Sequence, residues 1–187
     1  MIKKLDIPYY SQYDDVKDEH WKPRACGAVC LKMVLDFMKP SETSVSDFVL
    51  SANERGAFGE YGWIHQELIN VAKNFGVSLE RKEFKSEDKI KSEKLLEQGI
   101  EEIISSLRGD KPVLISTIRK WTEEKKFHTV VLTGFKEDEQ ELKGFYYNDP
   151  DYEGEDPNPS GGQGGENLFV DINTFKKYWR RLAIFVK

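Results

Sequence analysis

Apolar residues crowd one early stretch of the chain so densely that little of a helical surface is left polar. From Ala25 to Met38, the positions Val29, Leu31, Met33, Val34, Leu35, Phe37 and Met38 cover most of the helix circumference, as in a helix buried on most sides. Pro23 stands just ahead of it and Pro40 just past it, so both ends are punctuated. A short helix follows at Ser46–Leu50, then a glycine-rich loop, GAFGEYG, over 56–62. The stripe Ile64, Leu68, Val71, Ala72 and Phe75 predicts an amphipathic helix over Trp63–Phe75, stopped by Gly76. Val77–Phe84 alternates as a strand does, and Glu97–Leu107 returns to helical spacing through Ile100, Ile103, Ile104 and Leu107.

Beyond Gly109 the period changes. PVLISTI (112–118) and FHTVVLTGF (127–135) predict strands. Lys136–Gln140 is a charged turn, and LKGFYYN (142–148) is the returning arm of a hairpin. Asp171 caps a short helix that ends at Tyr178, and RLAIFV (181–186) closes the chain as a strand. Helices first and antiparallel strands after them make an α+β order, and 187 residues suit one domain over 1–187.

Composition narrows the function classes. A net charge of −5 excludes the concentrated basic surface that nucleic acid demands. No apolar run reaches the roughly 20 residues of a membrane helix, and the lysine pair at the N-terminus has no apolar stretch behind it, so the expected location is the cytoplasm. The run RKEFKSEDKIKSEK (81–94) reads as a solvated face or loop. Two cysteines, Cys26 and Cys30, cannot organise a disulfide scaffold, and one helical turn apart they would bridge only with strain. With a single imidazole they also fall short of the four-ligand structural zinc set. The acids from Asp149 to Glu155 imitate the start of a calcium loop, but its twelfth position is Ser160 and two prolines intrude. GGQGG (161–165) lacks the lysine of a phosphate loop and reads as a mobile loop over the site. No metal or cofactor is expected.

Candidate chemistry remains in four residues. Cys26 opens the most buried helix, where free backbone N–H groups favour a thiolate; a small buried hydrophobe is the bland alternative. Cys30, a turn deeper, belongs to the core. His128 stands at the mouth of an apolar strand, either a structural hydrogen-bonder or a base. His20 and His65 read as solvent-exposed. Counting from the 136–141 turn, antiparallel pairing brings Asp149 beside His128, where an acid would orient the ring; a plain Asp-Pro turn is the other reading. Asn148 adjoins Asp149, and strand alternation lets only one of the two face the histidine. Gln12 could donate to an oxyanion or be an ordinary loop residue.

The ordered set IPYYSQYDD with Gln12, W-x4-CG with Trp21, Cys26 and Gly27, HTVVLTGF with His128 and YYNDPD with Asp149 resembles the C39-like peptidase family over roughly residues 7–150. The resemblance implies a papain-like fold, with the cysteine helix packed on an antiparallel sheet. It further implies a cysteine peptidase acting on a peptide or protein substrate, with Cys26 as nucleophile, His128 as base, Asp149 as orienter and Gln12 as oxyanion donor. Ala28 stands where members often have proline. An acyltransferase using the same residues, or a non-catalytic module that binds a peptide or protein, would share this pattern.

Overall fold

The computed structural model describes all residues except 125, 140, 159, 160 and 163. The chain opens with strand β1 (Ile2–Lys4), runs through an extended segment, and enters helix α1 (Cys26–Met38) after one 3-10 turn. Helix α2 (Val45–Glu54), a two-residue hairpin β2 (Phe58–Gly59) and β3 (Gly62–Trp63), and helix α3 (His65–Asn74) follow. Then come β4 (Leu79–Glu83), α4 (Lys89–Arg108), β5 (Val113–Ile118), β6 (Phe127–Asp138), β7 (Glu141–Asn148), β8 (Leu168–Asp171), α5 (Ile172–Tyr178) and β9 (Trp179–Val186). The strands form an antiparallel sheet in the order β4-β9-β5-β6-β7-β8, and β1 also pairs with β6.

Helix α1 is buried on nearly every side, from Gly27 through Asp36. Each fully buried Val, Leu or Met there contributes about 1.5–3 kcal/mol before its entropy cost. It packs on β6, while α4 lies on β5, β6 and β9, and α5 on β7 and β8. Every residue from Val113 to Thr117 is buried. Successive strand residues point to opposite faces, so the centre of the sheet is covered on both sides.

Several boundaries depart from the pattern-based expectation. The 81–94 run is not one solvated loop: its first part is β4, paired with β9, and its end is the first turns of α4. Asp88 caps that helix by accepting from the Lys91 N–H at 2.7 Å. The charges lie on the exposed side of both elements, which hid the regular backbone beneath. The strand β6 runs on through the expected turn to Asp138, because β1 and β7 both pair with its far end. Helix α2 extends to Glu54, with the Ser44 side chain as its cap. Strands β1, β2, β3 and β8 were not expected at all; all four are four residues or shorter, edge or hairpin pieces with little pattern to read.

One glycine in the β6 motif has a steric reason. A Cβ on Gly134 would lie 2.1 Å from the Lys3 carbonyl oxygen, so β1 can approach β6 there only if no side chain intervenes.

Candidate active site

Helix α1 begins at Cys26, with the Ala25 carbonyl accepting from Val29 N–H at 2.9 Å. The thiol-bearing residue is half-exposed at a helix start, while Cys30 is fully buried and directs its sulfur at the Thr129 carbonyl, 3.2 Å away. Both cysteines are free. Burial above all, then the proximity of Cys26 and Asp149, pushes the Cys30 thiol well up. Only Cys26 faces solvent.

His128 and Asp149 come from neighbouring strand ends. Strand β7 pairs with β6 so that Asn148 stands opposite Val131. Asp149, one step further, meets the ring of His128 diagonally, and its Oδ1 accepts from Nε2 at 2.6 Å. Both side chains are buried. The same Oδ1 accepts the Asp151 N–H at 2.9 Å, which pins the carboxylate through the Asp-Pro-Asp turn. Asn148 points elsewhere: its Oδ1 accepts from Asn167 N–H at 2.8 Å and its amide reaches the Ile7 carbonyl. Of the two adjacent candidates, Asp149 is the one on the histidine.

With Nε2 committed to Asp149, Nδ1 is the ring nitrogen left for the sulfur; the Cys26 side chain lies close enough to bear on the ring's protonation, and both residues line one cleft. Burial, the largest influence on this imidazole, disfavours its charged form. The Asp149 charge and hydrogen bond and the Cys26 contact together outweigh it, so His128 is held well above the ordinary histidine range. A buried imidazolium between a carboxylate and a thiol favours nucleophilic chemistry at sulfur.

Gln12 is buried close by. Its backbone N–H donates to the Pro150 carbonyl at 2.9 Å, and its amide nitrogen lies 3.5 Å from Asp151 Oδ1. It does not line the cleft that Cys26 and His128 share. Asp151 is the hub beside it, receiving Tyr13 Oη–H at 2.8 Å and both Nε and Nη2 of Arg119. Burial would raise the Asp151 carboxyl. The Arg119 and Tyr13 hydrogen bonds, with the charges of His128 and Arg119, prevail and hold it below the usual range. This network was missed in the sequence, where Asp151 looked like part of a calcium-loop imitation.

Cys26 and His128 open onto a cleft of about 430 Å³, a size suited to a small-molecule or peptide segment. Its floor and rim include Trp63, Phe58, His65 and Arg180. Trp21, Phe58 and Trp63 pack edge-on or tilted with ring centroids 5.1–5.8 Å apart, and Trp63 Nε1 donates to the Arg24 carbonyl at 2.7 Å. Gly27 is small because Trp63 occupies its side: a Cβ there would lie 2.8 Å from the indole. His65, expected to be solvent-exposed, instead lines the cleft. Burial, followed by the charges of Arg81 and Arg180, lowers its pKa. Its position at the start of a helix gave no hint that the β2–β3 hairpin folds that helix end toward Cys26. The loop at 161–165 does not line the cleft; Gly165 is strapped to Asp149, whose N–H donates to its carbonyl at 2.9 Å, and residue 163 lies outside the described residues.

No helix among the described residues is long and apolar enough to cross a membrane. No curated protein matches the sequence. Among solved structures, the fold is similar to one described as a C39-like peptidase from Bacillus anthracis, at 18% identity and a TM-score of 0.66, covering 100% of this chain and 98% of that one. It is also similar to a double glycine motif protease from an AMS/PCAT transporter in complex with its leader peptide, at 18% identity and a TM-score of 0.57, covering 98% and 94%. The peptidase domain of Streptococcus ComA, a bifunctional ABC transporter of a quorum-sensing pathway, follows at 17% identity and a TM-score of 0.56, covering 88% and 91%. At these identities the likeness shows the fold, a mixed helix and antiparallel-sheet arrangement of the papain-like kind. The model of the Peptidase_C39 like family matches residues 4–183. The chain therefore belongs to the Peptidase_C39 like family.

Proposed function

We propose that the protein is a cysteine hydrolase that cleaves a peptide or other amide bond through an acyl-enzyme on Cys26, the whole chain acting as one domain. The observation that carries this reading is the buried His128, bonded to Asp149 at 2.6 Å and lining the same cleft as Cys26. Family membership and the peptide bound by one structural relative support a peptide as substrate.

In this mechanism the Cys26 sulfur attacks the substrate carbonyl carbon as the C=O π electrons move to oxygen. The backbone N–H of Cys26 donates to that oxygen. Gln12, which lies behind the cleft wall beside Asp151, adds a second donor only by turning its amide toward that oxygen as substrate binds. The amide nitrogen carries two protons, and the 3.5 Å contact to Asp151 occupies at most one of them. The imidazolium of His128 then protonates the departing amine while the C–N bond breaks, leaving a thioester on Cys26. His128, now neutral, takes a proton from water as its oxygen attacks the thioester carbonyl, and the acid product leaves with the sulfur regenerated. Asp149 holds the ring orientation and offsets its charge throughout.

A panel of peptide aldehydes and vinyl sulfones, read by intact-protein mass, tests the proposal. Wild type should acquire a single adduct that Cys26→Ala cannot form. Adducts on both proteins, or on neither across the panel, would defeat it.

A further inference from the structure

The protein carries 33 acidic side chains against 28 lysines and arginines, yet no carboxylate lines the cleft beside Cys26 among the described residues. Two arginines, Arg24 and Arg180, line it instead, beside His65, whose charged form burial and the Arg81 and Arg180 charges disfavour. In a chain so rich in acid, an acid-free and cation-rich cleft is a local inversion of charge. Such a cleft concentrates negative ligands through its field.

Arg180 is the organised member. Its guanidinium carbon lies 3.3 Å from the centroid of the Phe127 ring, stacked on it, and Nη1 donates to Ser116 Oγ at 3.0 Å. Ser116 itself is buried, only 4% exposed, so the arginine is tied to the sheet rather than left to wander in solvent. Other arginines nearby have counterions: Arg81 pairs with Glu83 at 2.5 Å, and Arg181 with Glu93 at 3.1 Å. Arg180 makes no ion pair among the described residues. Glu83 is the acid whose charge reaches it, and that carboxylate is already held by Arg81 and Lys85. A half-buried guanidinium held by one hydrogen bond keeps further N–H donors in its fork, the geometry that grips a carboxylate at two points. His65 lies near enough to feel the Arg180 charge and lines the same wall.

We propose that Arg180, with His65 and Ser116, forms a subsite for a carboxylate of the peptide substrate, next to the bond presented to Cys26. The aromatic ring beneath the guanidinium fixes its plane, so the subsite is preorganised and recognises the planar anion in preference to an amide of the same shape. The carboxylate comes either from an Asp or Glu side chain within the peptide or from a free C-terminus. The inference rests on this cleft being the substrate cleft of the proposed hydrolase, and it is tested without turnover so that the two can fail separately.

The test is binding to Cys26→Ala protein, followed by NMR titration. Three short probes are compared: acetyl-Ala-Ala-Glu-Ala-Ala-amide, its Gln counterpart, and acetyl-tetra-alanine with a free C-terminus. At least one carboxylate probe should bind on the order of tenfold more tightly than the Gln peptide, the scale of one charge-assisted contact. Whichever does so identifies the source of the carboxylate. Arg180→Gln in the same background should erase the preference, and Arg180→Lys, which keeps the charge but loses the planar fork, should retain part of it. Equal binding of all three probes, including no binding by any, would overturn the subsite. So would a preference that survives in Arg180→Gln.

Discussion

Two buried clusters of charge sit along the same helix, and they have opposite characters. At the first residue of α1, Cys26 shares a cleft with His128, whose ring Asp149 holds from behind. Two turns later, Lys32 and Asp36 form an i, i+4 ion pair inside the protein, with side chains 2% and 8% exposed. Tyr10 Oη–H donates to Asp36 at 2.8 Å, and Ser41 bridges both partners of the pair. This second cluster is closed: its polar groups satisfy one another, and neither Lys32 nor Asp36 lines the cleft at Cys26. The first is open on the sulfur side. Buried charge by itself therefore does not mark a site; a buried acid–base pair with one face left toward a cavity does.

The two clusters should answer substitution differently. Cys26→Ala should abolish hydrolysis of any peptide the wild type cleaves, a loss on the order of 10⁴-fold or more, with the melting temperature nearly unmoved. Asp149→Ala should lower turnover by roughly 10²–10⁴-fold, the span of general acid–base catalysis, because the imidazole loses both orientation and counter-charge. In the closed cluster the loss falls on stability instead. Asp36→Ala should destabilise the fold by about 3–5 kcal/mol in urea unfolding, since it strands a buried ammonium. The double change Lys32→Met with Asp36→Leu should recover most of that loss. If the single change were harmless, the closed cluster would not be the buried ion pair described.

Smaller effects probe what joins the clusters to the fold. Gly27→Ala should cost about 1–3 kcal/mol in the same unfolding assay, through the clash with Trp63. The pH dependence of stability should separate the clusters too. The folded state holds the His128 proton well above the ordinary range. A raised folded-state pKa adds stability that is fully present below the unfolded value of about 6.5 and is lost as pH climbs through the folded value. The stability gap between wild type and Asp149→Asn should thus be widest near pH 6 and narrow toward alkaline pH. A gap that grows with pH would contradict the charged His128–Asp149 pairing.

Much of this arrangement is legible in the residues. The dense apolar run of α1, punctuated by Pro23 and Pro40, identifies the buried helix and puts Cys26 at its start. Counting along the hairpin brings positions 128 and 149 together, although two register shifts in the β6–β7 pairing make the contact diagonal. The choice between Asn148 and Asp149 is not in the pattern, because it depends on where those bulges fall. Lys32 shows why charge can mislead: its type suggests solvent, and only the tertiary approach of Tyr10 and Ser41 makes burial tolerable. The cleft wall is hidden for a similar reason. His65 and Arg180 lie 115 positions apart, and no local period records that β9 and the start of α3 border the same space. The Gln12 and Asp151 contact likewise arises from long-range packing of the opening segment on the Asp-Pro-Asp turn.

Alkylation of Cys26 by iodoacetamide, followed by mass spectrometry from pH 5 to pH 9, tests the central pairing most directly. Wild type should label rapidly at pH 6, where an ordinary thiol is almost wholly protonated, and His128→Ala should lose that acidic limb and label only as pH rises toward the usual thiol range of about 8.5. Identical profiles for the two proteins would mean that the ring at position 128 does not activate the sulfur at position 26.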